Sequence, residues 1–296
     1  MQRILVGCFL SFITFLNIGS TMAQNSIASK HRVNGAEINV VSVGSGPPIL
    51  LMHGGLGLSH DYMRPYFDKL SDKHTVIYYD HFGNGASAKP DDYAEMTFER
   101  LVSDPAELMT ALGHKKFTLA GHSYGGFIAQ EFAAVHSDRL DKLVLIDTVP
   151  VFDYQPSVSG SEEQMAAFGK LFSEPMADDA DWRATWNLVV QMYFHNWDPE
   201  VGAALDSRTV YEHRAWNAAG ALLGTFNTLE KLERIPVPSL VIAGRHDGIT
   251  PPEPGAERIA KSLPNAELVI FENSGHYPFI EEETEFFDTL SKWLVD

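Results

Sequence analysis

One cysteine, Cys8, is present in 296 residues, and it falls in an N-terminal stretch with a pattern of its own, "MQRILVGCFLSFITFLNIGSTMAQ". Arg3 supplies a short positive region, Ile4 to Ile18 an apolar stretch, and Thr21-Met22-Ala23 small residues before a cut at Gln24. This predicts a secretory signal peptide over residues 1–23. The apolar stretch, about 15 residues, is shorter than the roughly 20 needed to span a bilayer. A lipid-attachment reading of Leu5-Val6-Gly7-Cys8 fails because no apolar segment precedes the cysteine. The expected mature chain therefore has no cysteine, which excludes a disulfide framework, a thiol nucleophile and thiolate metal ligands.

Positive charge is also scarce, with 22 Lys and Arg against 39 Asp and Glu and a formal net charge of −17. Residues 1–23 hold one arginine and no acid, so their removal moves the balance to −18. Nucleic acid and anionic membrane surfaces are excluded as partners by this field. There is no internal repeat and no low-complexity segment. The expected product is an exported protein, periplasmic or secreted, with no stable membrane insertion after signal cleavage. Removing 23 of 296 residues leaves 273, enough for one large domain with an insertion.

In the rest of the chain, short β-branched runs alternate with longer amphipathic ones, the pattern of a mostly parallel sheet covered by helices. Strands are expected near 31–34, 37–43, 48–52, 75–79, 116–120, 142–146, 237–243 and 267–271. Helices are expected near 61–70, 97–112, 124–136, 253–262 and 282–294. Residues 151–227 break this rhythm with helical patterns and four of the five tryptophans, Trp182, Trp186, Trp197 and Trp216. The division is thus a core of 24–150 and 228–296 with a helical insertion of 151–227 after the sixth strand.

In "FTLAGHSYGGFIAQEF" an apolar run ends at Ser123, with Gly121 and Gly125 at −2 and +2 and a helical pattern directly behind. A G-x-S-x-G of this kind places the serine on a strained strand-to-helix turn whose crowded neighbours must be small. The following helix aims its free N–H groups at any negative charge that develops there. A serine hydroxyl needs a base, and the base an orienting acid. Asp247 follows the seventh strand in "LVIAGRHDGITPP" and His276 the eighth in "LVIFENSGHYPFIEE". Asp147 in "LVLIDTVP" is the competing acid. The oxyanion donors expected are the backbone N–H of Tyr124 and that of Gly55 in "LLMHGGLG", with Leu56 the alternative to Gly55. No His/Asp cluster in the sequence implies a metal, and no cofactor motif is present.

Together these residues resemble the α/β-hydrolase superfamily. "HGGLGLSHDYMRPYFDKLSDKHTVIYYDHFGNGAS" is similar to its proline iminopeptidase branch, whose members carry H-G-G-P-G, a nearby S-H-D-Y and D-Q-x-G-x-G-x-S. The resemblance implies an eight-stranded α/β-hydrolase fold, the triad Ser123, Asp247 and His276, oxyanion donors Gly55 and Tyr124, and a cap formed by 151–227. Two departures are Leu56 for proline and Ala86 for arginine. Two others concern substrate: the family holds an ammonium with carboxylates at positions that here carry Gly248 and, near "WNAAGAL", Ala219. Glu212 is close to the second position but is expected on an exposed helix face. The expected activity is hydrolysis of a small ester, lactone or amide with a hydrophobic group. The alternatives are an aminopeptidase, a C–C bond hydrolase, or a binding protein of low turnover.

Overall fold

The structure, a computed structural model, describes residues 26–295. The segment 1–23 read as a signal peptide lies outside the described residues. Eight strands form one sheet: β1 (Ser26–Val33), β2 (Ala36–Val43), β3 (Pro48–Met52), β4 (Thr75–Tyr79), β5 (Phe117–His122), β6 (Leu140–Ile146), β7 (Ser239–Gly244) and β8 (Ala266–Phe271). Their order is β1-β2-β4-β3-β5-β6-β7-β8. The β1–β2 and β2–β4 pairs are antiparallel and the others parallel. All eight expected strands are present, the first beginning five residues earlier and ending one residue earlier than its sequence pattern suggested.

The sheet is covered on both faces, and period-two alternation decides which residue goes where. Leu50, Ile77, Leu119, Leu145 and Val241 face α1 (Phe98–Ala111) and α2 (Tyr124–His136), meeting Leu101, Phe127 and Ile128. Their neighbours Ile49, Val76, Ala120, Val144 and Leu240 face the opposite layer, where Phe67, Phe279 and Phe286 are buried. The chain around residues 60–72 contributes to this layer as two 3₁₀ turns, His60–Met63 and Tyr66–Asp72. The single helix expected over 61–70 is therefore corrected. Pro65 offers no N–H and breaks the ladder between them.

Between β6 and β7 the chain forms α3 (Glu162–Ser173), α4 (Asp179–Val189), α5 (Pro199–Arg208), α6 (His213–Leu223) and α7 (Leu229–Leu232). Caps fix the ends of two of them. Ser161 and Gln164 make a reciprocal capping box at α3, and the Asp178 side chain accepts the Asp181 N–H at α4. Helix α4 is anchored to the core by Trp182, which is fully buried, stacks on Trp216 at 4.6 Å and donates its indole N–H to Gly57 O at 2.8 Å. After β7 the expected helix 253–262 divides into a π-helical turn, Glu253–Glu257, and α8 (Arg258–Ser262). Two last helices, α9 (Pro278–Glu281) and α10 (Glu283–Val295), follow β8.

Candidate active site

Ser123 stands between β5 and α2 with φ 55° and ψ −120°, a backbone conformation that a non-glycine residue adopts only when its surroundings enforce it. Three hydrogen bonds hold it: Ser123 N–H to Ile146 O at 2.9 Å, Gly126 N–H to Ser123 O at 2.9 Å, and Thr148 Oγ1–H to Ser123 O at 3.0 Å. A Cβ on Gly125 would collide with the Met52 carbonyl, and one on Gly121 would lie 2.5 Å from Gly125 O. Glycine is thus required on both sides of the serine for want of space.

Asp247 and His276 come together from the loops after β7 and β8. His276 Nδ1 lies 2.8 Å from Asp247 Oδ2, both side chains being buried. Asp247 also accepts the N–H groups of Ile249 and Thr250, at 2.8 and 3.1 Å, and the Thr250 hydroxyl at 2.6 Å. Burial alone would raise the carboxyl's pKa, but the charge of His276 and the hydrogen bonds from His276 and Thr250 outweigh it and hold it below the usual value. Since the carboxylate can only accept, Nδ1 carries the proton. Among the described residues His276 Nε2 has no partner, so the basic nitrogen is free on the side chain that, with Ser123, lines the cavity described below.

His122, just before the serine, sits at the centre of a second network. Tyr62 Oη is 2.6 Å from His122 Nδ1 and accepts the Gly54 N–H at 2.8 Å; His122 Nε2 is 2.8 Å from His276 O. A carbonyl only accepts, so Nε2 carries hydrogen and Tyr62 donates to Nδ1. Burial pushes the His122 pKa well down, in keeping with a neutral ring. The loop of Gly54 and Gly55 is further set by Gly57 N–H donating to Asn84 Oδ1 at 2.6 Å. Gly54 and Gly57 N–H are thereby occupied, with Gly55 and Leu56 between them. Gly55 lines the cavity beside Ser123, whereas Leu56 is buried in the core. Tyr124 opens α2, where N–H groups have no acceptor within the helix.

Asp147 directly follows β6 with φ 44° and is fully buried. Its Oδ1 accepts Gly244 N–H at 2.8 Å, while Oδ2 has no partner among the described residues. Donor atoms of Asp147, Asp247 and His276 lie within 4.8 Å of one another, as do those of Asp179, Glu212 and His213. The sequence suggested no such groupings. In the first, Nδ1 and Oδ2 already share a hydrogen bond.

A cavity of about 1110 Å3 opens over Ser123, lined from the core by Gly54, Gly55, Tyr124 and His276 and from the inserted helices by Phe168, Phe172, Trp186 and Trp216. It exceeds the usual range of roughly 300–1,000 Å3 for small-molecule sites. Trp182, Trp197 and Phe194 instead pack away from it. Gly248 is pressed against the 151–227 segment: Ser157 N–H donates to its carbonyl at 2.7 Å, and a Cβ would strike the Ser157 carbonyl. Ala219 is buried outside the cavity lining. Glu212 corrects the expectation of an exposed face: it is buried, pairs with Arg214 at 2.8 Å, and does not line the cavity. Glu174, which sequence reasoning passed over, is the single carboxylate among the described lining residues. Exposed at the end of α3, it gave no signal in sequence beyond following a helical pattern.

A serine on a strand-to-helix turn, a buried histidine–aspartate pair and a doubly covered, mostly parallel sheet define a hydrolase of the α/β class. The profile described as alpha/beta hydrolase fold matches residues 47–283, and the chain belongs to that family of enzymes acting on small molecules. The chain is similar to a proline iminopeptidase of Lactobacillus crispatus, 29% identical over 272 residues covering 83% of this chain and 89% of the relative. It is also similar to one of Pestalotiopsis fici, 27% identical over 267 residues covering 84% and 93%. Among solved structures, an esterase from Exiguobacterium antarcticum superposes with a TM-score of 0.77 at 23% identity, covering 91% of this chain and all of the other. The enol-lactonase from Burkholderia xenovorans superposes with a TM-score of 0.74 at 24%, covering 90% and all of the other.

Proposed function

We propose that this chain is an exported serine hydrolase that cleaves a neutral ester, lactone or amide bearing a hydrophobic group, through an acyl-enzyme on Ser123. Ser123 Oγ attacks the carbonyl carbon while His276 Nε2 takes its proton, and Asp247 Oδ2 keeps the imidazolium oriented through Nδ1. The oxyanion is met by the N–H groups of Gly55 and Tyr124. The proton on Nε2 passes to the leaving group, and water repeats the sequence to release the acid. Residues 151–227 act as the cap over the acyl chain.

The observation that carries this reading is the cavity wall. An ammonium removed from water without a partner costs several kcal/mol. Gly248 and Ala219 offer no such partner, and Glu212 is already paired and turned away. The part of the wall supplied by 151–227 includes Phe168, Phe172, Trp186, Trp216 and Tyr193, with Glu174 its one carboxylate among the described lining residues, exposed at the end of α3. The test compares prolyl-p-nitroanilide, its N-acetyl derivative and a short-chain p-nitrophenyl ester. The neutral substrates should give the higher kcat/KM. A clear preference for the free-amine prolyl compound would overturn this in favour of an aminopeptidase, the reading that the iminopeptidase relatives favour. Glu174 would then be the ammonium partner, and Glu174→Gln would raise KM for that substrate.

A further inference from the structure

The triad reading uses one of two buried carboxyls beside His276. Asp147 directly follows β6, the strand next to β7, and its donor atom lies within 4.8 Å of those of both Asp247 and His276. Its backbone is one of three non-glycine positions with positive φ among the described residues, and another is Ser123, directly after the adjoining β5. The strained conformation is held by Asp147 N–H donating to Ile242 O at 2.9 Å, and the side chain is aimed by Gly244 N–H, which leaves Oδ2 unpaired. A fully buried carboxyl whose second oxygen meets no donor is costly to keep for packing alone, and the group within its reach, once it carries a proton, is Asp247.

We propose that Asp147 is a second positioning acid of this site, holding a proton while Asp247 carries the negative charge, and taking over the orientation of His276 when Asp247 cannot serve. Two carboxylates so close cannot both stay ionised, and the environments separate them. Asp247 has Thr250 and His276 as donors, while Asp147 has burial and the Asp247 charge against it, both of which push its pKa well up. Glu281, from α9, adds a weaker push in the same direction, and His276 faces both acids. With Asp247 absent, the opposing charge is gone and Asp147 can ionise. Its carboxylate then accepts the Nδ1–H of His276, by a small rotation or through one water in the emptied space. Nε2 still receives the proton from Ser123 Oγ, and Asp147 gains none in that step.

The proposal rests on Ser123 and His276 acting as nucleophile and base, so Ser123→Ala and His276→Ala are measured alongside. The experiment is a cycle of Asp147→Asn, Asp247→Ala and the double variant, with kcat/KM for a p-nitrophenyl ester followed against pH. Asp247→Ala should keep activity at least tenfold above the double variant, on a limb that rises with pH and disappears when Asp147→Asn is added. Equal activity of Asp247→Ala and the double variant at every pH would overturn the proposal. If the double variant does not fold by circular dichroism, the Asp247→Ala profile decides alone, a rising limb supporting and a flat one overturning. Near-normal rates in Ser123→Ala would instead overturn the triad reading itself.

Discussion

Tyr62 Oη lies 2.6 Å from His122 Nδ1, joining the chain beside the Gly54–Gly55 loop to the residue before Ser123 across 60 positions of sequence. The same oxygen accepts Gly54 N–H, and the far side of His122 meets His276 O. Ser123, His276 and the Gly54–Gly55 loop are thus spaced by one chain of three hydrogen bonds. Tyr62→Phe should leave Gly54 N–H and His122 Nδ1 unpaired, costing about 1–3 kcal/mol of stability. It should also lower kcat roughly tenfold or more, with KM little changed, because a loosened donor loop acts mainly on the transition state. Steady-state kinetics and thermal melts of the variant check both.

Ser123→Ala and His276→Ala should each lower kcat by roughly four to six orders of magnitude, since in the proposed mechanism the three residues act as a unit. Asp247→Asn should cost somewhat less. Circular dichroism confirms that each variant is folded before its rate is compared.

Buried histidines make stability dependent on acid. Burial lowers the His53 pKa to about 4, whereas in the unfolded chain it is near 6.5. Between those values the unfolded state binds a proton that the folded state does not, so this contribution is complete above about 6.5 and is lost as pH falls toward 4. His53→Asn keeps a donor near Gly54 O but cannot titrate. The stability advantage of the unaltered protein over the variant should therefore shrink by up to about 3 kcal/mol between pH 7 and pH 4. Denaturant melts of both proteins across that range measure it, and a constant difference would refute the assignment.

Gly220 on α6 lines the cavity, and a Cβ added there meets nothing within 4 Å. Gly220→Trp should fit without loss of fold, since glycine in an exposed helix costs about 1 kcal/mol relative to alanine and tryptophan lies between the two. It should remove volume where a long acyl group would lie. The expected result is at least a tenfold fall in kcat/KM for a p-nitrophenyl octanoate with the acetate changed less than threefold.

Local rules in the sequence made the frame and most of the candidate site readable. Short β-branched runs located the strands, and crowding at ±2 identified Ser123, because both depend on neighbours in sequence. Asp247 and His276 followed from strand ends, a topological rule. Long-range pairing was invisible: nothing near Tyr62 shows that it meets His122, and nothing near Glu212 shows that Arg214 and a buried setting turn it from the cavity. Asp147 was visible as an acid at a strand end, but its left-handed backbone and unpaired oxygen belong to the folded chain. The 61–70 helix failed because amphipathic spacing survives in two 3₁₀ turns broken by Pro65.

The central claim is an acyl group carried on Ser123, and the most direct test is to quench the enzyme during turnover of a p-nitrophenyl ester and map the modified peptide by mass spectrometry. The account predicts a burst of p-nitrophenol equal to the enzyme concentration and one acyl mass on the peptide holding Ser123, both absent in Ser123→Ala. An acyl group on another residue, or a burst that survives in Ser123→Ala, would contradict it.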